Sequence, residues 1–141
     1  MSGNKDDISP RDVIFPLVRY LWASPNTAVG LCFAALARST GGGVQIVDGV
    51  VEAWGGELGG LLRRVPISGG ALAMTIGHVV IGRDRSALDR SRSHERVHVR
   101  QYERWGPLFL LAYFGLSAWL LLWGRDPYRD NPFECEAYDA E

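Results

Sequence analysis

Residues 84–105 contain neither glycine nor proline, and inside that run stands Ser93-His94-Glu95-Arg96-Val97-His98. Such a stretch holds one unbroken helix, and the four-residue spacing sets His94 and His98 one turn apart on the same face. Two imidazoles so placed can grip one Zn²⁺. Glu95 beside the first can take a proton from a zinc-bound water. An exposed, arginine-rich helix carrying two histidines has the same composition, so structural context must separate the two readings. Ser86 with Asp89 three residues later reads as a capping box that starts the helix. Arg92, Arg96, Arg100 and Arg104 follow at steps of four and make a basic stripe away from the histidine face. That stripe is a solvated face, or one that meets a membrane surface or an anionic ligand.

With 141 residues the chain is one domain's worth, able to bury a core without disulfides. Its net charge of −1 speaks against a nucleic-acid partner. Cys32 and Cys135 are too few and too far apart for a disulfide framework, and Cys32 sits in an apolar run as a core or lipid-facing residue. The first dozen residues lack the basic start of a secretory signal, so no cleaved export segment is expected.

The expected fold class is α+β, with a polar tail at 1–11 and a single domain over 12–141. Residues 12–39 read as an apolar helical hairpin broken at Ser24-Pro25-Asn26, with Ser24 or Asn26 capping its second helix. This pair either dips into a membrane interface or forms an apolar layer. Residues 44–82 read as a small antiparallel sheet. Asp48-Gly49 joins 44–47 to 50–54 as a hairpin, a short helical turn follows at 57–64, and 71–81 forms one further strand. Residues 84–141 carry the metal-site helices. Gly106-Pro107 ends the first of them. The uncharged run 108–123 returns as an apolar helix, shorter than the ~20 residues of a typical span but flanked by Trp105, Trp119 and Trp123 as interfacial anchors. It is either inserted in, or closely associated with, a membrane, or else a buried core helix. Asn131-Pro132 then opens a short terminal helix. Glu134 and Glu136 fall in or near its first turn, where acids also complement the helix dipole.

Two histidines leave zinc short of a third protein ligand. The metzincin continuation is excluded, because Gln101 and Arg104 stand where Gly and His would be needed. His78 lies on the preceding strand, where it lines a cleft or serves as a ligand. The terminal acids are favoured by geometry. From His94 to Trp105 the helix runs about 16 Å, and the return helix covers about 24 Å in the opposite sense, which brings Glu134 near the metal.

An H-E-x-x-H helix followed by a Glu at the start of a later helix resembles the gluzincin class of zinc metallopeptidases. Glu134-Cys135-Glu136-Ala137 is similar to the E-x-x-A core of the motif in membrane-bound CaaX-protease and heat-shock-protease relatives. The resemblance covers roughly 71–140. It implies His94, His98 and Glu134 as zinc ligands and Glu95 as general base, with a strand before the metal helix that holds an extended substrate. The chain departs from the motif at Tyr138, which stands where the family has Asp, so Glu136 stays open as the third ligand and Cys135 as a more remote one. Tyr128, Tyr138 and His78 are the accessory residues able to face a developing oxyanion.

These features together lead to the expectation of a zinc metallopeptidase acting on a peptide or protein substrate, with membrane lipid as a second partner and the site on the cytoplasmic face of the membrane. Nothing in the chain specifies an oligomeric state. The rival expectation is a non-enzymatic small membrane protein whose metal site is structural or absent.

Overall fold

A computed structural model describes residues 10–141. Its first element is one helix, α1 (Pro10–Ser39), rather than the expected pair. Pro16 and Pro25 both lie inside it. A proline removes the N–H that would bond the carbonyl four residues back. At Pro25 that carbonyl belongs to Leu21, and the Ser24 hydroxyl donates to it instead at 2.7 Å. The lost bond is replaced locally and the helix runs on. Asn26 does not cap a second helix. Its Nδ2 donates to the Gly106 carbonyl at 3.1 Å and ties α1 to a turn eighty residues away. The expected polar tail lies, through residue 9, outside the described residues.

Four strands follow: β1 (Gly43–Val47), β2 (Val50–Trp54), β3 (Ala73–Ile76) and β4 (Val79–Gly82), with helix α2 (Glu57–Arg63) between β2 and β3. Asp48 and Gly49 both take positive φ, 49° and 77°, which is what a two-residue hairpin turn between β1 and β2 requires. The run 71–81 is two strands, not one. Gly77, at φ 65°, turns the chain back so that Ile76 pairs with Val79. The apolar residues on both sides disguise the turn. The sheet order is β1-β2-β4-β3, and β2 pairs with β4 in parallel, so the sheet is mixed rather than antiparallel. The α2–β3 excursion makes that crossover.

β4 is buried at every position. Side chains alternate across a strand, so its residues split between two cores. Val79 and Ile81 join Ala34 and Ala37 of α1 with Leu58 and Leu62 of α2. Val80 faces the other side, with Val50, Leu88 and Val99. α1 can cross the sheet closely because residue 30 is glycine. A Cβ there would fall 2.6 Å from the Ile76 carbonyl oxygen and from Val79 Cβ.

The H-E-x-x-H helix is α3 (Arg85–Trp105), packed against the second face of the sheet. Its cap is Asp84, whose side chain accepts from the Ala87 N–H at 2.8 Å. Ser86 is already in the first turn, so the expected capping box does not form. The arginine stripe is not uniformly solvated either. Arg92 donates through Nε and a terminal nitrogen to both oxygens of buried Glu52 on β2, each at 2.9 Å. Arg96 donates to the Val47 carbonyl at 2.8 Å and to Glu52 at 3.3 Å. The stripe's first two members therefore clamp α3 to the sheet. Arg100 and Arg104 remain exposed.

Gly106 (φ 54°) ends α3, and a 3-10 turn (Gly106–Leu108) leads into α4 (Phe109–Leu122). In an unbroken helix residues 98 and 109 would stand about 16 Å apart along the axis. Here the Phe109 ring lies 6.4 Å from that of His98 and 4.3 Å from that of Tyr102, so the chain does bend back. The helical run 85–122 is long and apolar enough to cross a membrane by length and composition. Within α4 only Phe109 and Leu120 are buried, while Leu111 is 72% and Leu122 85% exposed. The N-terminal part of α1 is similar: Phe15, Leu17 and Leu21 are each more than half exposed. The last element is α5 (Pro132–Tyr138), with Asn131 as its cap and Pro132 at the first helical position, as expected.

Candidate metal centre

Helix periodicity sets His94, His98 and Gln101 on one buried stripe of α3. Opposite them α5 brings Glu134. Asn131 fixes that helix: its Oδ1 accepts from the Phe133 N–H at 3.0 Å, and its Nδ2 donates to the Tyr113 carbonyl and the Ser117 hydroxyl on α4. The outcome is a buried group of three, His94, His98 and Glu134. His94 Nε2 lies 3.2 Å from Glu134 Oε2 and 3.2 Å from His98 Nε2, and His98 Nε2 lies 3.5 Å from Glu134 Oε1.

These separations permit a direct test of fit. Ligands about 2.0–2.2 Å from a tetrahedral zinc stand roughly 3.3–3.5 Å from one another. Two imidazole nitrogens and a carboxylate at such spacing are all electron-pair donors, and shared protons can satisfy only some of the close pairs. A single cation satisfies all three. The donor set, nitrogen and oxygen without thiolate, suits Zn²⁺. The residues present fit the metal.

The surroundings hold each candidate ligand. Tyr113 donates its hydroxyl to Glu134 Oε1 at 2.6 Å. Burial, joined by the negative charge of Glu134, pushes the Tyr113 phenol up, so it stays a neutral donor. Burial by itself would raise the Glu134 carboxyl, but the imidazoles of His94 and His98 beside it and the Tyr113 hydrogen bond hold it down to about 2. For His98, burial disfavours the cation. The Glu134 carboxylate beside the ring and the charge of Glu95 outweigh it and raise the imidazole. His98 Nδ1 is 2.8 Å from Gln101 Oε1, and Gln101 Nε2 donates to the Phe133 carbonyl at 3.0 Å and to Glu136 Oε2 at 2.9 Å. His94 Nδ1 is buried without a hydrogen-bond partner among the described residues. The Glu141 carboxylate is 3.1 Å away but misaligned for a bond.

Glu95, on the same helix, is buried. Its Oε2 accepts from the Thr75 hydroxyl on β3 at 2.7 Å. Desolvation raises its carboxyl most, and the His98 charge, the Thr75 bond and the His94 charge only partly offset that. The carboxyl therefore holds a proton more tightly than an ordinary glutamate.

The accessory residues divide. The Tyr138 ring meets His94 edge-on at 4.6 Å, and its hydroxyl lies 3.2 Å from that of Tyr128. Glu136, the alternative third ligand, faces Gln101 and Arg104 instead of the triad. Cys135 is exposed, with its sulfur toward the Arg129 carbonyl. His78 sits elsewhere, on the Gly77 turn. Its Nε2 is 3.0 Å from Glu103 and its ring stacks on Tyr20 at 4.0 Å. Sequence reasoning missed three supporting residues. Gln101 was within reach, since 94, 98 and 101 share a helical face. Thr75 and Tyr113 carried no local signal, because tertiary folding alone brings them to the site.

Compared with known protein families, with characterised proteins and with solved structures, the chain matches none.

Proposed function

We propose that the chain is a small, membrane-associated zinc metallopeptidase of gluzincin type. The observation that carries this reading is the position of Glu95, a buried carboxylate on the ligand helix, pinned by Thr75 and within range of the charges of His94, His98 and Glu134. His94, His98 and Glu134 would hold the ion, and three protein ligands are the number that leaves a coordination position free. Bound there, zinc supplies a Lewis acid that polarises a carbonyl and acidifies water. Glu95 accepts a proton from the attacking water and returns it to the leaving amine. Thr75 keeps the carboxylate oriented by donating to Oε2. β3 is an edge strand and carries Thr75, so an extended peptide that added to it would run past the site. The exposed apolar sides of α4 and of the first half of α1 support seating on a lipid surface.

A metal site without catalysis is the second reading. The cover over His94 favours it, since the Tyr138 ring and the Glu141 carboxylate both close on that ligand.

Elemental analysis of the full chain, with a peptide-library cleavage assay, separates the two. About one zinc per chain is expected in the wild type and in Glu95→Gln, with strong loss in His98→Ala and Glu134→Gln. Cleavage is expected from the wild type alone. Zinc without any cleavage would move the conclusion to the second reading. A chain that takes up no zinc when supplied with it would overturn both.

A further inference from the structure

We infer that Gln101 is a positioning residue of this centre: it sets the tautomer of His98 and ties the helix of that ligand to the helix that bears Glu134. The inference rests on the zinc reading of the triad. A metal-binding imidazole must offer a bare nitrogen, so its one proton must sit on the other nitrogen. His98 faces the triad with Nε2 and Gln101 with Nδ1.

The amide of Gln101 can present either oxygen or nitrogen to a neighbour, and its other contacts decide which. Its nitrogen has two hydrogens, and two acceptors take them, the Phe133 carbonyl at 3.0 Å and Glu136 Oε2 at 2.9 Å. The oxygen is left for His98, and an oxygen can only accept. The imidazole proton is thereby held at Nδ1, and Nε2 keeps its lone pair for the metal. Without that acceptor the proton finds a better partner at Nε2, where the Glu134 carboxylate is 3.5 Å away.

The same side chain spans two elements. It is completely buried, rises from α3 one turn beyond His98, and fastens to the backbone of α5 one residue before Glu134. Glu136, which follows two residues later, is the second fastening point. Gln101 thus governs both the protonation geometry of one ligand and the distance to another.

The test uses the full chain and two readouts. Nitrogen NMR of the metal-free protein, at a pH where the ring is neutral, reports the His98 tautomer. Competition with a chelator reports zinc affinity. The wild type is expected to show the Nδ1–H form. Gln101→Met, which keeps the volume but offers only a weak acceptor, is expected to shift the ring toward Nε2–H and to weaken zinc about 10–100-fold. The exchanged pair Q101E/E136Q, which restores an acceptor for His98 and the 101–136 bond but not the donor to the Phe133 carbonyl, is expected to recover the Nδ1–H form and part of the affinity. A merely structural role would not move the tautomer. Gln101→Met with the Nδ1–H form and wild-type affinity would overturn the inference. Should Gln101→Met not fold, loss of the Nδ1–H form in Q101E/E136Q would overturn it equally. If the wild type binds no zinc, the metal reading falls on its own, and the tautomer measurement still decides what Gln101 does.

Discussion

The Tyr113 hydroxyl donates at 2.6 Å to Glu134 Oε1, the carboxylate that also faces His94 and His98. A donor from α4 thus orients the Glu134 carboxylate on α5 toward the two histidines on α3. With the two imidazoles, the bond favours the ionised form of Glu134.

Tyr113→Phe removes that donor and keeps the ring among Phe109 and Phe133. Zinc affinity should fall about 10–100-fold by chelator competition, as when a group supporting a metal ligand is lost. Superimposable competition curves for the two proteins would show that the hydroxyl gives Glu134 no support.

Glu52 gives a prediction about acid stability. Burial would raise its carboxyl, but the bonds from Arg92 and Gln45 and the charges of Arg92 and Arg96 hold it below the ordinary range. A carboxyl lowered on folding adds stability that is present above its unfolded pKa and lost as pH falls through the folded value. Its contribution is therefore intact at neutral pH and disappears in the acid range below about 4. Glu52→Gln should cost roughly 1.5–3 kcal/mol at pH 7, the range for hydrogen bonds to charged groups. The deficit should narrow in acid. Chemical denaturation at pH 7 and pH 3 checks this, and an equal deficit at both would contradict it.

Two glycines should respond with opposite sign. Gly30→Ala sets a Cβ against the Ile76 carbonyl and Val79, which should destabilise by about 1–3 kcal/mol. Gly60→Ala, inside α2 with nothing within 4 Å, should stabilise by about 0.4–1 kcal/mol. Thermal unfolding of both variants against the wild type is the measurement. A neutral Gly30→Ala would mean that α1 does not cross the sheet so closely.

The exposed apolar side of α4 should govern lipid association. Leu111→Glu with Leu122→Glu changes two of its most exposed positions. Wild-type protein should co-sediment with phospholipid vesicles, and the double variant should stay largely in the supernatant with its melting temperature little changed. Equal sedimentation of the two would remove α4 from the lipid contact.

Where one stretch of chain holds all the relevant physics, the sequence alone was enough. The absence of glycine and proline across 84–105 implied the long helix, and the four-residue spacing placed His94 and His98 on one face. Asp48-Gly49 announced its hairpin, and Asn131-Pro132 its helix start, because caps and tight turns are satisfied within a few residues. Tertiary structure decided whatever depends on a partner distant in the chain. Pro25 breaks a helix by local rules, yet α1 continues with Ser24 bonding Leu21 and Asn26 anchored at Gly106. The parallel β2–β4 pairing has no local signature, since the residues it joins are separated by a helix and a strand. Nor did the arginine stripe reveal its target, because Glu52 sits on a strand forty residues before Arg92. That Glu134 rather than Glu136 faces His94 and His98 follows from how Asn131 and Gln101 fasten α5, a rotation that two acids in one short helix leave open until the helix is packed.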